Sequence, residues 1–314
     1  MVDLVFQPWI KPIAVPMIDY ETLGDFIGDH GLDPLMEGDT PIRRLCEAIE
    51  GTRKPANAAE FSVDDPRHHY QDTDLLAEFA GRFCYRAWGQ GRPTEEYIAN
   101  VIAEKHGSVL AHANISFIMT GVSRALTHEL IRHHAGTNPS QESQRFVTAD
   151  GGEIAVVGYR ASRCVVPPLL LELTRREEGA ADFEAIRGHD LLTEFHDDFA
   201  AQIDVYNKWQ QRLKAWTNDT LGLSSTLAKK RANEAARFQL PQATETRLVF
   251  TMNMRAARNV IEQRGNMHAD LEIRRLAVSL ARELKTLAPI SFADTSIFVD
   301  HDGIESVTNT HIKV

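Results

Sequence analysis

The sequence predicts an α/β chain of the α+β-like kind, with a central mixed or antiparallel sheet flanked by helices. Three observations carry this. Helical spacing recurs in long segments, among them Leu75–Trp88, Thr94–Lys105 and Asp270–Leu287. Thr244–Asn253 alternates, with Leu248, Phe250 and Met252 on one face and Glu245, Arg247, Thr251 and Asn253 on the other, which is a strand pattern. Helices and strands follow one another without a regular βαβ rhythm, and there is no GxGxxG or GxxxxGK[ST] phosphate loop, so an α+β-like or irregular α/β fold is expected rather than a Rossmann domain.

Taken in order, residues 1–65 hold scattered Gly, Pro and Asp and one helix-like stretch, Ile42–Ile49. They stand as an N-terminal extension of unknown role, ahead of a principal domain over 66–314. Pro55–His69 reads as a polar connection. The helix at Thr94–Lys105 opens on Thr94-Glu95-Glu96, acidic residues that complement the helix dipole. Asn114–Thr120 is rich in β-branched and aromatic residues and reads as a strand. Val122–His133 returns to helical spacing, and Ala135–Glu142, with its Gly, Asn, Pro and Ser, reads as a loop. Phe183–Trp216 is a long amphipathic helical region with room for one break. Leu223–Phe238 is a basic helix that stops before Pro241, Arg255–Arg264 is a further helix, and the tail from Phe292 reads as extended.

At 314 residues, 43% hydrophobic and 25% charged, the chain has the composition of a soluble globular protein. Its net charge of −10 argues against nonspecific nucleic-acid binding, which needs a basic face. A local arginine cluster can still hold a phosphate. Cys46, Cys84 and Cys164 form no CxxC pair, so a reduced, cytoplasmic protein is expected. The opening MVDLVFQPWIKPIAVP is too short and too broken by proline for a signal peptide or membrane span.

The segment from His128 to Phe146 carries the chemistry. His128-Glu-Leu-Ile-Arg-His133-His134 first suggests a zinc helix, but the histidines stand five residues apart rather than four. On a helix that turns the second about 140° away from the first, so no metal site is expected. His133 shares a face with Glu129 on that reading. Anion recognition is the second reading. Arg132, His133 and His134 end the helix, Arg145 follows, and Ser140, Gln141, Ser143 and Gln144 add neutral donors and acceptors. A solvated helix end with cations on the C-terminal dipole explains the same residues. Arg237, Arg247, Arg255, Arg258 and Arg264 add a second cluster, in which Arg255 and Asn259 share a helix face and Arg264 lies about 180° from Arg255. Cys84 and Cys164 sit in largely apolar company and read as inert core thiols, which leaves no ready thiolate nucleophile.

Together these blocks resemble the flavin-dependent thymidylate synthases. The family signature of Arg-His-Arg, a spacer, then Ser-x-Arg and an aromatic stands here as Arg132-His133-His134 and Ser143-Gln144-Arg145-Phe146. Matching blocks flank it: His106-Gly-Ser108-Val-Leu, Thr127-His-Glu129-Leu-Ile, Ala236-Arg237-Phe-Gln-Leu-Pro, Ala243-Thr-Glu-Thr-Arg, Asn253-Met-Arg255, and Arg264 through His268-Ala-Asp-Leu-Glu-Ile-Arg. The resemblance implies the fold of that family, a homotetramer with intersubunit sites, FAD as cofactor, and NADPH and methylenetetrahydrofolate as co-substrates. It implies flavin contact at Ser108, Arg132, His133, His134, Gln141, Asn253, Arg255 and Asn259. It implies nucleotide contact at Glu129, Arg132, Ser143, Gln144, Arg145, Arg237 and Arg264, with Arg145 on the phosphate. Arg264 and Ser143 would stand at the reacting ring, Arg264 on the uracil carbonyl and N3 edge and Ser143 nearby without acting as nucleophile.

The chain departs from the family pattern at His134, which replaces the second arginine, at Ala111, where many members carry Glu, and in a long spacer containing Asn138-Pro139. The changes at His134 and in the spacer point toward the branch that methylates UMP in nucleoside-antibiotic (polyoxin-type) biosynthesis, or to activity on both UMP and dUMP. The alternatives are a strict dUMP-to-dTMP synthase, a pyrimidine hydroxymethylase on the same scaffold, and a flavin- or nucleotide-binding protein without catalysis. An RNA-binding domain is the weakest alternative, given the charge and the lack of interleaved aromatics.

Overall fold

The computed structural model describes residues 2–53, 67–89, 91–148, 162–179 and 189–314. In chain order the elements are β1 (Val2–Val5), β2 (Trp9–Ala14), α1 (Tyr20–Asp29), α2 (Pro41–Arg53), α3 (Arg67–Tyr85), α4 (Thr94–Ala103), β3 (Asn114–Ser123), α5 (Arg124–Leu130), β4 (Thr137–Gln141) and β5 (Ser162–Val165). There follow α6 (Pro168–Glu178), α7 (Asp190–Leu221), α8 (Ser225–Ala236), β6 (Glu245–Asn253), α9 (Met254–Arg264), α10 (Leu271–Leu287), β7 (Thr295–Val299) and β8 (Glu305–Asn309). Short 3₁₀ turns stand at Asp33–Met36, Val109–His112 and Arg237–Gln239. The expected mixed α/β class is what the chain adopts. A four-stranded sheet has the order β2-β3-β6-β4, β1 pairs with β5 in parallel, and β7 pairs with β8 antiparallel.

The chain divides into two units. One comprises Met1–Trp9, Met119–Arg132 and Pro139–Val249; the other comprises Ile10–Ile118, His133–Asn138 and Phe250–Val314. In the first, the register Val2↔Ser162 to Val5↔Val165 lays β1 on β5. Phe6, Val166, Leu171 and Leu192 form one buried cluster, and Cys164, Phe199 and Ile203 form another. The long helix α7 packs on α8, and Gln210 donates to the Asn233 side chain at 3.0 Å between them. Gly222, in the left-handed region at φ 61°, ends α7, and the Ser224 hydroxyl caps α8.

In the second unit, α1, α2 and α3 close on Leu23, Ile27, Ile42, Leu45, Ile49, Leu75 and Trp88. Helix α10 buries Ile273, Leu276, Ala277, Leu280, Ala281, Leu284 and Leu287, the 3–4 spacing of a core-facing stripe. Asp270 caps it by accepting from Glu272 N and Ile273 N. Arg258 of α9 is buried; it forks onto Asp294 at 2.8 and 2.9 Å and donates to the carbonyls of Ser291 and His311. That arginine is a strut of the fold rather than part of an anion site.

Several expectations are corrected. The segment read as a loop at Ala135–Glu142 contains strand β4, at the edge of its sheet. Pairing with β6 overrides its turn-prone composition, and Pro139 is tolerated because an edge strand leaves one row of N–H groups unused. The helix expected over Val122–His133 runs only from Arg124 to Leu130, because Val122 and Ser123 finish β3. His133 therefore does not share a helix face with Glu129. Residues 1–53 hold two strands and two helices where the sequence showed one helical stretch. Cys84 is exposed, not a core thiol. The described part of the long helical region is unbroken, and the extended tail resolves into β7 and β8. Pro55–His69 falls largely outside the described residues, as do residues 183–188.

Candidate active site

Two groups of polar side chains come together, one in each unit. In the first unit the β3–α5 junction sets the frame. The Ser123 hydroxyl accepts from Leu126 N at 3.0 Å, and the first two free N–H groups of α5 donate to Thr244 O and Gln242 O at 3.1 and 3.3 Å. This fastens the start of α5 to the turn before β6 and opens a pocket of about 500 Å³. Arg124, His128 and Glu129 line it from α5, Gln144 from the signature segment, and Arg237 and Gln242 from the connection after α8. Burial first, and the Arg237 charge second, depress the Arg124 pKa from its ordinary value. Two guanidinium groups thus crowd one pocket. Like charges held together in a partly desolvated cleft prefer an anion between them.

The segment after β4 is held in a turn. Phe146 N and Val147 N both donate to Ser143 O at 3.0 Å, and the Ser143 hydroxyl accepts from Arg145 N at 3.3 Å. No carboxylate or imidazole is hydrogen-bonded to that hydroxyl among the described residues, so no general base activates it. Helix α8 supports the turn: Asn233 donates to Arg145 O at 3.3 Å, and Lys230 lies 4.9 Å from the Phe146 ring centroid. Arg145 itself pairs with Glu234 at 3.0 Å, and its buried Nε has no protein partner. Gln141 points into the fold, donating to the hydroxyls of Thr127 and Thr246 at 2.9 and 3.2 Å. Arg132 is exposed beyond the end of α5.

In the second unit α9 is the organising element. Asn253 caps it, accepting from Ala256 N at 2.8 Å, and Asn253 N donates to Gly136 O at 3.0 Å. Gly136 has φ 75°, and a Cβ there would stand 2.5 Å from the Asn253 amide nitrogen, so only glycine fits. Arg255 and Asn259 are exposed one turn apart, and Arg255 Nε donates to Val314 O at 3.1 Å. Ser108 is exposed at the start of its 3₁₀ turn, and His134 is exposed beside His133. Arg264, the last residue of α9, donates from Nε to His133 Nε2 at 2.9 Å. Burial, then the Arg264 charge, lower the His133 pKa, which leaves the ring neutral at pH 7.

Of the residues singled out from the sequence, Glu129, Gln144 and Arg237 share the pocket, while Ser143 and Arg145 form the adjoining turn. His133, His134, Asn253, Arg255, Asn259, Arg264 and Ser108 lie in the second unit. Arg124 was missed. A signal was present: an arginine at the first position of a helix opposes the dipole, a local cost that a bound anion offsets. Among the described residues no group of three or more His, Cys, Asp or Glu is placed to hold a metal. None of their helices is long and apolar enough to cross a membrane.

The fold has a solved counterpart. A UMP/dUMP methylase, PolB from Streptomyces cacaoi, in a crystal structure with bound 5-Br UMP, matches with a TM-score of 0.52 over 93% of this chain and 95% of that one. At 15% identity the likeness speaks for the fold alone. The class of fold is therefore the mixed α/β scaffold that this structure shares. The family described as thymidylate synthase complementing protein matches residues 68–290. Flavin-dependent thymidylate synthases of Mycobacterium sp. (strain JLS) and Mycobacterium tuberculosis (strain ATCC 25177 / H37Ra) are each 41% identical over 238 residues, covering 74% of this chain and 84% of the relative. The chain belongs to the flavin-dependent thymidylate synthase family and is an enzyme of the methyltransferase class.

Proposed function

We propose that the enzyme methylates C5 of a uridine monophosphate, UMP and/or dUMP, with methylenetetrahydrofolate as carbon donor, NADPH as reductant and FAD as cofactor. The observation that carries the reading is the pocket in which Arg124 and Arg237 converge beside Gln144 and Glu129. Two cations suit a phosphate dianion; an amide and a carboxylate suit the donors and acceptors of a base or sugar. The family match gives that chemistry its scaffold. On this reading Arg145, in the adjoining turn, exchanges Glu234 for substrate phosphate.

The second unit supports the cofactor. Exposed Ser108, His134, Arg255 and Asn259 form a donor-rich, cationic set that fits the phosphates and carbonyls of a flavin nucleotide. Asn253 and the neutral ring of His133 stand with them. Arg132 and Gln141 belong to the same role by their place in the signature. Reduced flavin, when bound, supplies the hydride that completes the methyl group. Arg264 holds the carbonyl and N3 edge of uracil and stabilises the negative charge that develops as C5 attacks the one-carbon unit. Ser143 flanks the ring by hydrogen bonding. No protein thiolate is required: burial pushes Cys46 up to about 11 and Cys164 up to about 12, so neither ionises at neutral pH.

His134 cannot make the bidentate fork of the arginine it replaces, and Pro139 fixes the path of β4. We therefore place the enzyme with UMP-accepting members that serve nucleoside-antibiotic biosynthesis. Residues 66–314 form the catalytic domain and 1–65 an extension to it, in line with a family match that begins at 68. Three free cysteines fit a reducing, cytoplasmic compartment. Val205, Trp209 and Trp216 fall at i, i+4 and i+11 along α7 and are exposed, an apolar stripe suited to the subunit interface of a homotetramer.

The deciding experiment is turnover with NADPH, methylenetetrahydrofolate and either UMP or dUMP, read by product mass. Both substrates should gain one methyl group. Turnover of dUMP alone sinks the UMP assignment, and a hydroxymethyl product sinks the methylation.

A further inference from the structure

We propose that His133 is the positioning residue of Arg264, its bare Nε2 gripping the Arg264 Nε–H and so fixing the plane of the guanidinium. This rests on the reading of Arg264 as the group that faces uracil. The bond of 2.9 Å has one possible polarity. A guanidinium keeps its protons in a protein, so Nε is the donor and the facing imidazole nitrogen must be unprotonated. The His133 proton then sits on Nδ1, an assignment that the bond itself dictates.

Both partners are anchored on one helix. Arg264 ends α9, while the turn carrying His133 is tied to its start: Asn253 N donates to Gly136 O at 3.0 Å, and the Thr137 hydroxyl donates to His133 O. The charge that bears on His133 is that of Arg264, from α9. Protonating the ring removes the acceptor and sets two cations face to face. The guanidinium then loses its acceptor at Nε. An arginine side chain is flexible, and one held at Nε presents its terminal nitrogens in one plane, the geometry needed to meet a planar ring edge. His133 thus acts through Arg264, in addition to any contact with the cofactor.

The test uses full-length protein labelled with ¹⁵N-histidine, and steady-state kinetics of the holoenzyme normalised to bound flavin. In the ligand-free protein His133 should show the Nδ1–H tautomer and a titration midpoint below that of free imidazole, rising in Arg264→Gln. His133→Ala and Arg264→Gln should each lower kcat on the order of 100-fold, the scale of a misplaced catalytic group. The double variant should lose no more than the worse single one, because His133 acts through Arg264. His133→Gln offers an acceptor that does not titrate; it should recover part of the loss and flatten the acid limb of the kcat profile.

A His133 ring protonated on Nε2 overturns the inference. So do losses in the two single variants that multiply in the double, and these leave the functional reading intact. If Arg264→Gln turns over like the wild type, the functional role of Arg264 falls instead, and the tautomer and titration decide whether the pair exists.

Discussion

Removing Arg237 isolates the electrostatic logic of the pocket. Its side chain makes no hydrogen bond or ion pair with any other described residue, and its charge bears unfavourably on Arg124. The ligand-free protein therefore gains little from it. Arg237→Gln should change stability by no more than about 0.5 kcal/mol, with relief of like-charge repulsion setting the sign toward a gain. Binding should behave in the opposite way. A charge-assisted hydrogen bond to an anion contributes about 1.5–3 kcal/mol, so affinity for UMP or dUMP should fall roughly 10- to 150-fold. Calorimetric titration with each nucleotide, beside denaturant unfolding of the same samples, measures both quantities. Uridine, which lacks the phosphate, serves as the control and should bind both proteins alike. The reasoning is refuted if nucleotide affinity stays within about twofold of the wild type, or if lost binding comes with a stability loss above about 1 kcal/mol. The second result would make Arg237 a structural cation like Arg258.

Three other outcomes follow from the geometry. An aromatic disulfide reagent should modify Cys84 quickly in the native enzyme and reach Cys46 and Cys164 only on unfolding, and Cys84→Ser should keep turnover, since the proposed reaction uses no thiolate step. Gly136→Ala should destabilise by about 2 kcal/mol, combining left-handed strain with damage to the Asn253 cap of α9, as read by the urea midpoint. Asp294→Asn should cost about 3 kcal/mol near neutral pH by leaving the buried Arg258 charge without its counter-ion. Burial alone would raise the Asp294 pKa, but hydrogen bonds from Arg258 and His311 N and the Arg258 charge outweigh it and lower the value. A depressed carboxylate stabilises fully above its unfolded pKa of about 3.9, and the contribution fades as pH falls through the folded pKa. The gap between wild type and variant should therefore be flat from pH 5 to 8 and close in strong acid. A constant gap down to pH 2 would show that the ion pair is not its source.

What the sequence determined by itself is whatever repeats at short range. The alternation in β6 appears as buried Thr246, Leu248, Phe250 and Met252, and the spacing in α9 and α10 as two helices within one residue of their expected starts. The signature residues were legible too, because their identities and order survive without any knowledge of their neighbours. Tertiary structure decided the rest. Whether Ala135–Glu142 is loop or strand depends on β6, about a hundred residues away, offering a sheet edge. Arg255 and Arg258 look alike in sequence, yet one is exposed and the other is buried on Asp294. Cys84 is exposed although its neighbours are apolar. The pairing of Arg124 with Arg237 and the grip of His133 on Arg264 join residues more than a hundred positions apart. Periodicity specifies which face of an element is buried. It does not specify which distant side chain that face will meet, and the side chains on which the proposed chemistry rests are brought together only by such meetings.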